Sequence, residues 1–224
     1  VAARDEAATI EPTIQALLSQ SYDPGLYEVI IVDDGSTDGT LAKARSHLDV
    51  ADPTRVSPAL KVLSTSDAGA ESGSKKAALT LGIAAATGDI ILSTDADCQI
   101  PVDWVTTMAA HFTPDVDAVV GFSHIVEAGL VAGVEALDFL LLMTAARGAC
   151  GNGHPVAASG QSFGFRRRAF EEVGGYEQVR HRISGDDVLL LQLLRRAGKR
   201  IVFAYTPQAA VVHPAATSVG ALLR

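Results

Sequence analysis

Apolar positions along this chain keep two alternating rhythms, one of about 3.6 residues and one of 2. Ile10, Ile14, Leu17 and Leu18 fall at i, i+4, i+7 and i+8, a helical stripe with Thr9 at the N-cap position. Pro24-Gly25 breaks the chain before residues 27–32, a β-branched run that predicts a buried strand. A polar, glycine-bearing loop follows, and Leu41, Ala44 and Leu48 mark one face of a helix expected over 37–47. The unit then repeats. Residues 60–63 read as a strand, Leu79, Gly82, Ile83 and Ala86 as a helix closed by Gly88 at C′, and 89–94 as the next strand. Val105, Met108, Ala109 and Phe112 stripe another helix before a strand at 118–122. Strands alternating with helices through residue 122 predict an α/β domain with a mostly parallel central sheet and helices on both faces.

The rhythm changes after that point. A long apolar helix is expected over 127–146, then a glycine-rich loop at 148–160, a strand at 162–166 and a short helix at 167–173 ended by Gly174-Gly175. Leu190, Leu193, Leu194 and Ala197 stripe a last helix closed by Gly198, ahead of a strand at 200–204. The most apolar stretch, 130–146, carries Glu135 and Asp138 and falls short of the roughly 20 apolar residues of a membrane span. It is expected to be buried or interfacial.

At 224 residues the chain fits one domain, and 48% hydrophobic with 20% charged residues supports a sizeable core. A net charge of −8 argues against nucleic acid as a partner. Phosphates would have to be neutralised locally, by a metal or a few placed cations. Cys98 and Cys150 are too few for a disulfide framework and point to a reducing compartment. The chain opens on Val1 with no secretory signal, so it is expected to be a piece of a longer one.

Three paired acids stand at element boundaries. The strand at 90–94 runs into Asp95 and Asp97, whose carboxylates repel unless a cation sits beside them. Such oxygens suit Mg²⁺ or Mn²⁺, though acids at a strand end also cap helices, and these residues alone leave both readings open. Asp33-Asp34 can cap the next helix or accept from a base N–H or ribose hydroxyls, with Gly35 permitting close approach. Asp186-Asp187 open a helix, where acids are favoured by the dipole; either can also take a proton from an acceptor hydroxyl, with Asp187 ahead. For Lys75-Lys76 a solvated face is the default and a phosphate contact, by Lys75, the alternative. The six histidines lack zinc-site spacing; His213, at a strand end, is the one in reach of a diphosphate or metal. Cys98 reads as packing. Serine-nucleophile elbows and a P-loop are both absent.

Together these segments resemble the family 2 glycosyltransferases, inverting enzymes of GT-A fold. The resemblance rests on 1–7 (VAARDEA), 29–40 (VIIVDDGSTDGT), 73–79 (GSKKAAL), 88–98 (GDIILSTDADC), 160–176 (GQSFGFRRRAFEEVGGY) and 183–191 (ISGDDVLLL), in family order. It implies a single GT-A (Rossmann-like) catalytic domain, with a nucleotide-binding half at 1–122 and a smaller acceptor-binding half at 123–224. It implies transfer of a sugar from a nucleotide sugar, UDP by default, to a hydroxyl of a carbohydrate or lipid-linked acceptor. Ala3, Arg4 and Glu6 in the first loop, with Asp33, Asp34 and Lys75, are implied to hold the nucleotide. Asp95 and Asp97 are implied to be the metal-binding Asp-x-Asp, Asp97 directly on the ion and Asp95 shared with the ribose, and Asp187 the catalytic base. The chain departs from the family at Asp5, usually Asn, and at Asp186, where Glu is common. The Gln-x-x-Arg-Trp motif is absent, and the chain stops at Leu222-Leu223-Arg224, about where that motif would begin. The expectation is a catalytic domain on the cytoplasmic face of a membrane, with membrane segments outside this chain. Two other readings are a catalytically idle nucleotide-binding module and a nucleotidyltransferase; for the latter, Arg4 beside Asp5 and Glu6 is poor support.

Overall fold

The computed structural model describes residues 1–48, 57–125, 129–182 and 185–215. Ile183 and Ser184 of the last motif, the first residues of the helix expected from 127, and the tail at 222–224 lie outside the described residues. In chain order the strands are β1 (Ala2–Ala3), β2 (Glu28–Asp33), β3 (Ala59–Ser64), β4 (Ile90–Ser93), β5 (Ala118–Gly121), β6 (Ser123–Ile125), β7 (Phe163–Arg166), β8 (Ile201–Ala204) and β9 (Val211–His213). The helices are α1 (Ile10–Leu18), α2 (Thr40–Ser46), α3 (Lys75–Ala85), α4 (Trp104–Ala110), α5 (Leu130–Gly151), α6 (Arg167–Glu172) and α7 (Asp186–Arg196).

β1, β2 and β3 form a parallel sheet in that order, in a register that brings Ala3, Asp33 and Ser64 level at one edge. A second sheet has the order β4-β7-β5-β8, and β6 pairs with β9 as a parallel ribbon. β7 runs antiparallel to both its neighbours, while β5 and β8 are parallel. A strand from the second half therefore separates β4 from β5, which chain order alone did not predict. Its Phe-Gly-Phe pattern accounts for the fit. Phe163 and Phe165 fill one core, and a Cβ on Gly164 would come 2.7 Å from Leu92 on the other face.

Two apolar clusters hold the layers. One joins Ile10, Ile14 and Leu17 of α1 to Val29 and Ile31 of β2 and to Trp104 and Met108 of α4. The other gathers Phe163, Phe165, Phe170 and Tyr176 with Leu190, Leu191 and Leu194 of α7. Each fully buried large side chain contributes roughly 1.5–3 kcal/mol. α1 is also pinned through polar atoms: Thr13 Oγ1 donates to Ala96 O at 2.8 Å, and Gln20 bonds Pro101 O and Val105 N at 2.9 Å each.

Several expectations are corrected. The helix expected over 37–47 starts only at Thr40, because Gly39 is left-handed (φ 97°) and Asp38 turns its carboxylate onto Thr40 N. Thr9 holds the N-cap position of α1, but its hydroxyl bonds Glu6 and caps nothing. α3 ends through extended Ala86, so no left-handed residue is needed at Gly88. α5 runs past 146 to Gly151, since Cys150 still packs beneath it and donates to Ile201 O. Lys76 is no solvated lysine: it is 4% exposed and donates to Arg182 O at 2.8 Å.

Gly121→Ala tests the β5–β7 seam. The added methyl would land on Ser162, whose hydroxyl accepts from Trp104 Nε1 at 2.9 Å, so a loss of about 1–3 kcal/mol in urea unfolding is expected. Glu28 supplies a pH test. Burial alone would raise its carboxyl, but hydrogen bonds from Lys61 and Thr87 outweigh that and hold it at about 2. A carboxylate depressed on folding stabilises above its unfolded pKa and loses that contribution as pH falls towards the folded value. Between about pH 4.5 and 2 the chain should lose on the order of 1–2 kcal/mol after solvent screening, and Glu28→Gln should flatten that part of the curve.

Candidate functional site

The turn after β4 is where the pieces meet. Ala96 and Cys98 are each 3% exposed and face the core, so the alternation throws Asp95 and Asp97 to the opposite side. Thr13 holds the Ala96 carbonyl from below. Just beyond, Gln99 and Val212 exchange backbone hydrogen bonds of 2.9 and 3.0 Å, which sets β9 beside the turn. That pairing places His213 Nε2 3.4 Å from Asp97 Oδ2. The contact lowers the Asp97 pKa and raises that of His213, each chiefly through the hydrogen bond between them. Burial and the two nearby acids push the Cys98 thiol up to about 12, leaving it an inert packing group.

Asp95 turns to the other side. Its Oδ1 lies 2.6 Å from Lys75 Nζ, which is also 3.8 Å from Asp186 Oδ2. Burial alone would lower the Lys75 pKa, but Asp95, Asp186 and Asp187 together raise it, so the ammonium stays charged. Left-handed Gly185 (φ 77°) swings the chain into α7, whose first turn carries both acids. Asp186 is the more buried of the two. Asp187 Oδ1 accepts from Val188 N at 2.7 Å, and burial is the main cause that raises its pKa. Gly160 closes this group from above. A Cβ there would stand 3.4 Å from Lys75 Nζ, 3.7 Å from Asp95 Oδ1 and 3.8 Å from Asp187 Oδ2. Its bare backbone leaves that space open.

The first loop and the β2 edge form the adjoining wall. Ala3 is buried opposite Asp33, and its carbonyl accepts from Asp34 N at 2.8 Å. Neither acid of the pair caps α2. Asp34 Oδ1 accepts from Gly73 N at 2.8 Å, tying β2 to the loop before α3. Asp33 Oδ2 accepts from Ser36 N, while its Oδ1 is buried with no hydrogen-bond partner. A buried acceptor of that kind calls for a donor from elsewhere. Arg4 lies against Gly73, where a Cβ would meet Nη1 at 2.8 Å. Asp5 adopts a left-handed conformation (φ 55°) and takes Thr37 N at 2.7 Å on its carboxylate. Asp and Asn both tolerate that backbone and both offer the acceptor, which accounts for Asp at a position where Asn is usual. Burial is the first cause that raises the Glu6 pKa, with Asp97, Asp95 and Asp38 adding to it.

Of the residues named from sequence, Asp95, Asp186 and Asp187 thus stand around Lys75, Asp34 is tied to Gly73 two residues before that lysine, Ala3 lies level with Asp33, and Glu6 feels the charges of Asp95 and Asp97. His213, marked in the sequence by its strand end, stands at Asp97, and Gly160, the first residue of the 160–176 motif, lies over Lys75, a placement no local pattern gave. Among the described residues no group of three or more His, Cys, Asp or Glu could hold a metal. Asp97 and His213 supply an oxygen and a nitrogen that converge, and Asp95 is committed to Lys75. The Asp97 carboxylate is the kind of hard oxygen donor that would suit Mg²⁺ or Mn²⁺, with His213 Nε2 next to it.

Comparison with known proteins agrees with this architecture. The β-monoglucosyldiacylglycerol synthase of Synechocystis sp. is 40% identical over 113 residues, covering 50% of this chain and 22% of that enzyme. Glycosyltransferase AglE of Haloferax volcanii is 29% identical over 202 residues, 90% of this chain and 62% of that protein. The chain thus spans less than two thirds of these relatives. Among solved structures, the mannosyltransferase PcManGT of Pyrobaculum calidifontis, in complex with GDP-Man and Mn²⁺, superposes with a TM-score of 0.73 at 23% identity, over 95% of this chain and 55% of that one. S. aureus TarS 1–349 in complex with UDP-GlcNAc gives 0.70 at 15% identity, over 100% and 59%. The family pattern of glycosyl transferase family 2 runs through residues 1–174, most of the chain; this chain belongs to glycosyl transferase family 2.

Proposed function

We propose that the chain is the catalytic domain of a metal-dependent, inverting glycosyltransferase that moves a sugar from a nucleoside diphosphate sugar, UDP by default, to an acceptor hydroxyl. The observation that carries this reading is that acids of the β4 turn and of the α7 start, Asp95, Asp186 and Asp187, meet around the Lys75 ammonium, while Asp34 is bonded to Gly73 two residues before it. Helix capping would leave the three pairs pointing at three separate helix ends. Residues 1–122 serve the nucleotide and 123–224 the acceptor. Names of relatives support a nucleotide-sugar donor and a lipid acceptor, and we place the chain at the cytoplasmic face of a membrane. No helix among the described residues is long and apolar enough to cross a membrane.

In this reading the buried, unpartnered oxygen of Asp33 accepts from the base or ribose, and Asp34 and Arg4 shape the wall beside it. Asp97, with His213 beside it, would hold Mg²⁺ or Mn²⁺, which would supply positive charge at the diphosphate. Lys75, between Asp95 and the α7 acids, adds positive charge on the same side. Asp187 takes the proton of the acceptor hydroxyl. The acceptor oxygen bonds the anomeric carbon as the bond from that carbon to the diphosphate oxygen breaks, and the nucleoside diphosphate leaves with the electron pair. A base whose pKa is raised by burial accepts a proton more readily than an ordinary aspartate.

Thermal-shift screening against nucleotide sugars with Mg²⁺ or Mn²⁺ finds the donor, because stabilisation follows affinity. With that donor, Asp187→Asn should lower kcat by about 10²–10⁴ while the donor-induced shift persists. The wild-type rate should fall on the acid side as pH drops through the raised pKa of Asp187, since only the ionised carboxylate accepts. Undiminished transfer by the variant would remove Asp187 from the mechanism. Asp97→Ala should abolish the difference between assays with and without the divalent cation; a retained metal response would refute that ligand assignment.

A further inference from the structure

α5 is not the amphipathic surface helix that its position would require. Ala132, Met143, Ala146 and Cys150 form its buried stripe. Beside that stripe, where polar side chains normally stand, come Leu140, Leu137, Leu141 and Val134, with Leu142 beyond, all 45 to 61% exposed. Only Glu135, Asp138 and Arg147 are charged along its 22 residues. An apolar groove of about 580 Å³ runs between this flank and the segment before β9. Leu137 and Leu140 form one wall, Tyr205 and Pro207 the other, with Phe122 and Ile125 between them.

The groove is braced by stacked rings. Arg147 lies 4.2 Å over the Tyr205 ring, Tyr205 meets Phe122 edge-on at 5.1 Å, and Phe122 stacks on His124 at 6.1 Å. Such a ladder keeps the aromatic wall in place without a ligand. It also leads towards the acidic cleft: His124 and Ile125 of β6 pair in register with Val212 and His213 of β9, and His213 is the partner of Asp97. One end of the groove is therefore one strand from the proposed diphosphate position, while Val134 and Leu141 extend the apolar surface beyond it.

We infer that this groove seats the aliphatic chain of a neutral lipid alcohol, with its hydroxyl end on the β6–β9 side, and that the leucine flank of α5 rests on the bilayer from which that lipid comes. The inference rests on the transferase reading and names its acceptor class and the place that class occupies. A carbohydrate would need polar partners along its length, and among the described residues the groove offers the side chains of His124 and Tyr205. Charge selects among lipids. The chain carries −8 and α5 has two acids against one arginine, so attachment comes from apolar burial and gains nothing from anionic headgroups.

The test uses the 224-residue chain with phosphatidylcholine vesicles containing a diacylglycerol that bears a diazirine on its acyl chain. Photolabelling should map to α5 and to residues 205–210, and adding phosphatidylglycerol should not increase it. Leu137→Ser with Leu140→Ser, at exposed positions where the fold tolerates polarity, should cut labelling about tenfold, equivalent to about 1.4 kcal/mol. Val102→Ser, an exposed residue outside the groove, should leave it unchanged. The thermal shift given by the nucleotide sugar should be the same in all three proteins. Labelling elsewhere, full labelling of the double variant, a rise with anionic lipid, or a dimer joined through α5 in place of labelling would each overturn the proposal. Loss of the donor shift in the wild-type chain with labelling intact would count against the transferase reading and leave the lipid groove standing.

Discussion

The turn after β4 must bury Ala96 and Cys98 while presenting Asp95 and Asp97 side by side, and the remainder of the cleft answers that constraint. Two carboxylates two residues apart cannot share a half-buried position without counter-charge. Each receives its own: Lys75 from the start of α3 for Asp95, His213 from the end of β9 for Asp97. The Thr13 bond to Ala96 O and the Gln99–Val212 pairing keep the turn from rotating to relieve the repulsion. Trp104 and Met108 pack in the same core as Ala96 and Cys98, so apolar burial opposes relaxation of the acids.

The two walls of the cleft differ in kind. On the nucleotide side nearly every polar group is tied to backbone: Asp34 to Gly73, Asp5 to Thr37, Asp38 to Ala7 and Thr40. That wall is preorganised, and its one buried acceptor without a partner, on Asp33, faces a role that only a ligand can complete. On the far side α5, β6 and β9 present rings and leucines with few hydrogen-bonding groups. Under the proposed function, fixed dipoles would grip one substrate and apolar contact the other.

Much of this was legible in the sequence because short periodic signals were strong. Ile10, Ile14 and Leu17 of α1 and Leu190, Leu193 and Leu194 of α7 are buried as their spacing requires. Each strand before an acidic pair was read to within a residue or two, since β-branched runs bounded by glycine and acid leave few alternatives. What escaped was set by packing between distant segments. Lys76 is internal because Arg182 O lies over it, and α5 passes 146 because Cys150 has a place under β8.

Local chemistry was decided by the sequence alone: paired acids at three element boundaries, glycines where left-handed backbone is needed, and too few cysteines or basic residues for other classes of protein. Which acid faces which cation was decided only by tertiary structure. β7 inserts antiparallel between β4 and β5, and the loop before it carries Gly160 over Lys75, Asp95 and Asp187. β9 reaches back to Gln99 and brings His213 to Asp97. These contacts join segments far apart in the chain, Asp97 and His213 most of all, whose proximity depends on strand order and no local periodicity encodes.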